Sequence, residues 1–444
     1  MPRIVVVSPP FMSHARPLSV LASALRRTGA EVHLACTAPF APLADAAGVH
    51  FEELAVSRNA NTGIAEATRQ DAEESARLGE FLDATRAGAV PALLTQTRHR
   101  RQDMLADPQG VLTDLRRLDE RLRPDWYVVD QLSYPVTLAL HCLGVPWATF
   151  CPGHPGYVLS APDAYFGLPY DWPGVLRPTA RDQERLLAAV RATDEAFTDL
   201  FAAFARRHAP AAAPPGRAFA LTSAHAVVYS YPELPWLPER PAGPASVFAG
   251  HSVLPPSPPD QEWQRRLDGL RDRSRRVVLV ALGTFLSARD DVLRTVTEGI
   301  LDHLPDTAVV VAAGDRVDRL SDLAGDRAVV VSSVPQQSLL EHVDAMVHHG
   351  GNNSFTECLR AGVPAVVLPF SSDQFAVGRD AELAGAGVVL DPNSLTGKEV
   401  ARALQSLDAT CTGLAGLTRQ VRARGPRWAA ARLIAAMSEH APAR

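Results

Sequence analysis

Short β-branched runs alternate with longer helical patterns through nearly the whole chain, and this alternation constrains the fold more than any other feature. It is the signature of parallel strands joined by crossover helices. In the first half it predicts strands near Ile4–Ser8, Glu31–Ala35, Tyr127–Val129 and Trp147–Phe150. Helices are expected at about Pro17–Thr28 and Pro135–Leu143, with further helical patterns in 65–122 and 182–207. A stretch rich in proline from Pro232 to Pro259 breaks the rhythm and reads as a linker. The alternation then restarts, with strands expected near Val277–Ala281, Ala308–Ala312, Ala328–Val331, Ala345–His348, Ala365–Leu368 and Val388–Leu390. At 444 residues the chain exceeds what one ordinary core organises. The reading is therefore α/β, with two doubly wound domains. The first is expected over 1–240, the linker over 241–262 and the second domain over 263–425, followed by a C-terminal helix within 426–444.

Charge excludes one class of partner. The 44 basic and 49 acidic residues leave a net charge of −5, with no global excess for a nucleic-acid surface. Lys398 is the only lysine, a skew that a GC-rich coding sequence explains without any arginine-specific chemistry. Five scattered cysteines form no CxxC pair and no metal spacing, so free thiols in a reducing cytoplasm are expected. The run after Met1 is too short for a signal peptide, and no stretch approaches a membrane span. A cytoplasmic protein is the expectation.

Ligands in open α/β sheets bind outside the carboxyl ends of the strands. Four of the six strands of the second half end in polar or glycine-rich loops there. These are Gly283-Thr284, Val334-Pro335-Gln336, His349-Gly350-Gly351-Asn352-Asn353-Ser354 and Asp373-Gln374. In the third loop the glycines permit close backbone approach, and Asn353 and Ser354 are expected to cap the next helix, whose positive end would face an anion. Glu357 is either a capping-box glutamate or a group turned toward a sugar diol. His348 and His349 point to opposite strand faces, which excludes a metal pair. In the first half His14 follows the opening strand and is poised as a base at neutral pH. Asp130, ending another strand, is placed to orient its ring.

These motifs resemble those of family 1 glycosyltransferases, inverting enzymes of antibiotic tailoring and plant glucosylation. The segment from Val334 carries the likeness in VPQQSLLEHVDAMVHHGGNNSFTECLRAGVPAVVLPFSSDQ, and SHARPLSVLASALRRTGAEVHLAC resembles the family's opening helix. The resemblance implies the GT-B fold, two Rossmann-like domains facing each other across a cleft. It implies a nucleotide-sugar donor held by His349, Gly351, Asn352, Asn353 and Ser354, with Gly283 and Thr284 opposite. Glu357 and Gln336 match ribose contacts, Val334 a backbone contact to the base, and Asp373 and Gln374 the pair that reads sugar hydroxyls. His14 matches the general base and Asp130 its partner. The final helix, by the same resemblance, crosses back to the first domain.

The implied reaction is inverting O-transfer of a glucose-like hexose from a UDP-sugar to a hydroxyl of a small natural product, nucleoside or nucleotide. No cofactor and no metal are required. A dTDP-deoxysugar donor is the alternative; a sugar-nucleotide epimerase or a non-catalytic partner would use the same fold. A monomer or homodimer is expected. Three departures stand out: Ser333 replaces a base-stacking aromatic, Asn352 replaces a tryptophan of plant members, and Val377-Gly378 replaces a frequent Asn-Ala. The acceptor side draws on Phe11, Met12, Arg16 and Tyr134, with Tyr157, Tyr165, Phe166, Tyr170 and Trp172 as further candidates. The basic run Arg98-His99-Arg100-Arg101 is either a solvated helix face or a site for an anionic acceptor.

Overall fold

The computed structural model describes residues 1–56, 72–103 and 105–439, with the side chains of residues 72, 101–103 and 284 outside that description. Thirteen strands are present among the described residues, in two sheets, and every strand pair is parallel. The first sheet comprises β1 (Arg3–Val7), β2 (Glu31–Cys36), β3 (His50–Glu53), β4 (Trp126–Asp130), β5 (Trp147–Cys151), β6 (Ala226–Tyr229) and β7 (Ala245–Phe248). Its order is β3-β2-β1-β4-β5-β6-β7. The second comprises β8 (Arg276–Ala281), β9 (Thr307–Ala312), β10 (Ala328–Val331), β11 (Ala345–His348), β12 (Ala365–Val367) and β13 (Gly387–Val389), in the order β10-β9-β8-β11-β12-β13.

Continuous apolar runs are what a sheet covered on both faces requires. In β1, Ile4 and Val6 enter one core cluster while Val5 and Val7 enter another on the opposite face. In β8, Val278 and Val280 separate from Val277 and Leu279 in the same way. All four β1 residues are 0% exposed, each contributing about 2 kcal/mol of burial. In each sheet the chain order reverses once, between β1 and β4 and between β8 and β11. Those two switch points open the crevices where ligands bind in such sheets.

Five helices position the site: α1 (Met12–Arg27), α2 (Ala89–Asp103), α3 (Asn352–Ala361), α4 (Gln374–Leu383) and α5 (Pro426–Glu439). Gly425, at φ +97°, turns the chain into α5. Ala429, Ala430, Leu433, Ala436 and Met437 of α5 then pack with Leu18, Leu21 and Leu25 of α1 in the core of the first sheet. The linker expected from 241 begins later, because Ala245–Phe248 pairs with β6 as an edge strand of the first sheet. It also ends earlier, since a helix with Asp260 as its N-cap starts at Gln261.

Candidate functional site

The first switch point brings His14 and Asp130 together. His14 lies in the first turn of α1, one helical turn earlier than the expected helix start. Its Nδ1 is 2.9 Å from Asp130 Oδ2. Asp130 is 0% exposed, and its second oxygen accepts the Leu132 N–H at 2.9 Å. Burial of the His14 ring opposes its charge, but attraction and hydrogen bonding to Asp130 outweigh that and hold its pKa above the usual 6.5, with Asp373 adding to the rise. With Nδ1–H directed to the carboxylate, Nε2 keeps its lone pair for an incoming proton.

The second switch point is built around His349. Its ring lies between two glycines: a Cβ on Gly283 would fall 2.6 Å from Cε1, and one on Gly351 would fall 2.4 Å from Nε2. Gly283 also has φ +74°, so side chains are excluded there twice over. Burial lowers the His349 pKa to about 4, which leaves a neutral imidazole at neutral pH. Its Nδ1 is buried without a partner. Thr284 belongs to the short helix Gly283–Leu286, and its side chain lies outside the described residues.

The expected capping roles in this loop are not the ones found. Helix α3 starts at Asn352, with Gly351 at the N-cap and no side chain capping it. Its first N–H groups are thus left for an anion. Asn353 Nδ2 instead donates across the cleft to the Ser13 carbonyl at 2.9 Å, next to His14. Ser354 Oγ accepts from Gln336 Nε2 at 3.2 Å. Asn352 turns the other way, its Nδ2 donating to the Pro152 and Ser230 carbonyls at 2.5 and 2.9 Å. Glu357 makes no capping box: its two oxygens accept from Gln336 Nε2 at 2.6 Å and Gln337 Nε2 at 2.9 Å. Burial raises the Glu357 pKa against the pull of those donors. The Val334 carbonyl accepts the Gln336 N–H at 2.9 Å.

Asp373 and Gln374 begin α4. Asp373 Oδ2 accepts the His154 N–H at 2.9 Å, and Gln374 Oε1 accepts the N–H groups of Phe370 and Ser371 at 2.9 and 3.1 Å. Among the described residues no hydrogen bond engages the other Asp373 oxygen or the Gln374 amide nitrogen.

On the acceptor side Phe11 stands 6.0 Å from the His14 ring, and Met12 packs beside Phe40 and Cys36. Arg16 is exposed, and its charge acts on Glu357. Tyr134 is buried, its ring edge-on to Phe166, Phe197 and Phe219. Trp172 packs on Phe375 at 4.9 Å, and Tyr165 lies beneath Arg217.

Comparison with known proteins bears on this geometry. Residues 299–421 match the model of the erythromycin biosynthesis protein CIII-like C-terminal domain. Over 98% of this chain and 99% of the other, the fold matches the kitacinnamycin glycosyltransferase at 22% identity and TM-score 0.68. The calicheamicin glycosyltransferase CalG4 matches over all of both chains at 18% identity and TM-score 0.65. The chain has the GT-B fold of these structures. The glycosyltransferase VinC, solved in complex with dTDP, matches over 98% of this chain and 100% of its own at 19% identity and TM-score 0.66. Among curated proteins, 2-hydroxyacylsphingosine 1-beta-galactosyltransferase of Rattus norvegicus is 29% identical over 168 residues, 37% of this chain. Sterol 3-beta-glucosyltransferase of Aspergillus fumigatus is 32% identical over 129 residues, 27% of this chain. The matches span 30% and 9% of those two relatives.

In this GT-B chain a second polar centre joins the domains, and the motif reading missed it. Asp380 of α4 is 0% exposed and accepts from His154 Nε2 at 2.9 Å, Tyr231 Oη at 2.7 Å, Trp236 Nε1 at 2.8 Å and the Tyr170 hydroxyl. All four donors come from the segment between β5 and β7. The Val377-Gly378 departure lies on this same helix. Val377 is fully buried, and Gly378 packs against Pro173 with room for a Cβ in ordinary contact at 3.4 Å, so nothing in the packing explains the glycine.

Among the described residues, one group brings metal-ligand atoms within 4.8 Å of one another: Glu31, His33 and His50. It lies on β2 and β3, away from both switch points, and Glu31 is paired with Arg3 at 2.9 Å. No helix among the described residues is long and apolar enough to cross a membrane.

Proposed function

We propose that this chain is an inverting glycosyltransferase that moves a hexose from a nucleoside-diphosphate sugar to a hydroxyl of a small natural product. The observation that carries the reading is the pairing of His14 with a buried Asp130, held one residue from the hydrogen bond that docks the uncapped start of α3 against the first domain. A base and an anion site thus face the same cleft from opposite sheets.

The acceptor hydroxyl lies between His14 Nε2 and the anomeric carbon. As its oxygen bonds to that carbon, its proton passes to Nε2, and the bond to the diphosphate oxygen breaks on the opposite face. Asp130 stabilises the imidazolium formed. The departing diphosphate is met by the free N–H groups at the start of α3 and by the neutral His349 N–H. Asp373 and Gln374 take the sugar hydroxyls, and Glu357 takes the ribose.

For the base and sugar we favour UDP-glucose, because a carboxylate at Glu357 suits a ribose diol. The dTDP reading is supported by the VinC complex and by Gln336 and Gln337, which already occupy both Glu357 oxygens. Calorimetric titration with UDP and dTDP separates the two. Mass spectrometry of products from UDP-glucose, dTDP-glucose and a panel of hydroxylated acceptors tests the activity. Undiminished transfer by His14→Ala to an oxygen acceptor would remove the base from the mechanism.

A further inference from the structure

The basic run in α2 divides between two environments. Arg98 and His99 both pair with Glu80 at the surface, His99 Nε2 at 2.6 Å. Arg100 points inward. Its guanidinium carbon lies 4.6 Å from the Phe166 ring centroid. Its Nη1 is packed against Gly167, where a Cβ would fall 2.0 Å away. That nitrogen is shut off from solvent and has no hydrogen-bond partner.

Arg289 shows how this fold satisfies a buried arginine with its own residues. It is 2% exposed, and its guanidinium lies over Phe370. It also reaches Asp291 at 2.8 Å, Asn393 at 3.0 Å and the Thr85 carbonyl at 3.2 Å. Arg100, less buried as a whole, has the aromatic seat but no acceptor for Nη1. A desolvated guanidinium nitrogen left unpaired is costly, and a ligand oxyanion is one group that would satisfy it.

The surroundings say where that ligand sits. Gln96, one turn before Arg100, accepts the Ser372 N–H at 3.0 Å and donates to Ser372 Oγ at 3.2 Å, beside Asp373. Tyr157 stacks obliquely on Phe166 at 4.6 Å, and its carbonyl accepts from Gln131, the residue after Asp130. The charged and ionisable groups facing Arg100 are Tyr157, Tyr134 and Asp373. Contacts through Gln131, Tyr157 and Phe166 therefore link the His14–Asp130 pair to Arg100.

We propose that Arg100 recognises an oxyanion of the acceptor, a carboxylate or a phosphate, so that the preferred acceptor is a hydroxylated acid. Phe166 beneath the guanidinium leaves its edge for the bidentate contact that planar anions favour. This rests on the glycosyltransferase reading above.

The test compares acceptors in matched pairs: 4-hydroxybenzoate against its methyl ester, and uridine 5′-phosphate against uridine. Each is assayed for kcat/KM with UDP-glucose and dTDP-glucose. The wild type is expected to favour one acid over its neutral partner by at least about tenfold. Arg100→Gln should bring that ratio close to one, and Arg100→Lys should restore part of it. The first pair reports a carboxylate and the second a phosphate. A wild-type ratio near one in both pairs, or a ratio unchanged in Arg100→Gln, overturns the proposal while leaving transfer itself intact. Failure to bind UDP or dTDP and to glycosylate any member overturns the glycosyltransferase reading, and this inference with it. A melting temperature of Arg100→Gln equal to wild type excludes misfolding as the cause of a lost ratio. If that variant does not fold, the Arg100→Lys ratio decides: unchanged, it refutes the bidentate contact.

Discussion

Replacing Asp380 by alanine removes the acceptor of four hydrogen bonds whose donors all belong to the other domain. His154 and Tyr231 are 1% and 0% exposed, so water cannot replace the carboxylate for them. Each stranded donor costs about 1–3 kcal/mol. Tyr170 and Trp236 are only half-buried and recover part of their loss in solvent. The desolvation of the carboxylate itself is relieved, so the net destabilisation is placed at about 4 kcal/mol, the range for breaking a buried pair from one side. That corresponds to roughly 10 °C of melting temperature for a domain of this size. Calorimetry measures it, and hydrogen exchange reports whether the segment containing His154 and Tyr170 loses protection together with α4. The His154 N–H also holds Asp373, so donor affinity should weaken in the same variant. A variant that melts within 1 °C of wild type, with unchanged exchange in that segment, would show that Asp380 does not hold the domains together.

Transfer should fall on the acid side of the His14 pKa, which Asp130 raises, because the base is then protonated. Asp130→Asn should shift that limb of the pH–rate profile to lower pH and reduce kcat; an unmoved limb would disprove the coupling. His348, His349 and His251 have folded pKa values lowered by burial to about 3, 4 and 4. Their unfolded forms bind protons near pH 6.5, so their stability contribution is whole above that pH and is lost as pH falls toward 4. At pH 5 the loss is about 2 kcal/mol per histidine, measurable by denaturant titration at pH 7 and pH 5. Gly283→Ala should abolish nucleotide binding by calorimetry, since the new Cβ displaces His349 from a strained turn; retained affinity would refute the tight seat. Glu357→Gln should lower affinity for UDP more than for dTDP if the carboxylate reads the ribose diol, and equal losses would exclude that role.

The frame was legible because parallel strands buried on both faces must be apolar along their centres, and β1, β4, β8 and β9 are, with polar residues only at their ends. Three strands went unread for physical reasons. In β3 the sequence HFEE is half charged, and in β7 ASVF sits among prolines; both are edge strands whose form depends on their neighbours. In β6 the four-residue run AVVY is too short to separate from a loop. Site residues at strand ends were readable because position in a doubly wound sheet predicts position in the cleft. Asp380 and its donors were not, since their separation of 144 to 226 residues leaves no local pattern. Arg100 did leave a signal. Leu93, Gln96, Thr97 and Arg100 follow the i, i+3, i+4, i+7 spacing of one helix face. That spacing separates Arg100 from Arg98 within the same basic run.

The packing of α5 on α1 makes the first domain discontinuous in the chain. Its seventh strand ends at Phe248, yet its core closes only with Leu433 and Met437. During synthesis the second sheet can therefore form completely while the first still lacks a layer, although the first was made earlier. A chain stopped after Gly425 would carry the whole second sheet and leave Leu18, Leu21 and Leu25 uncovered on α1. Truncation from the C-terminus is accordingly felt in the domain that holds the opposite end of the sequence.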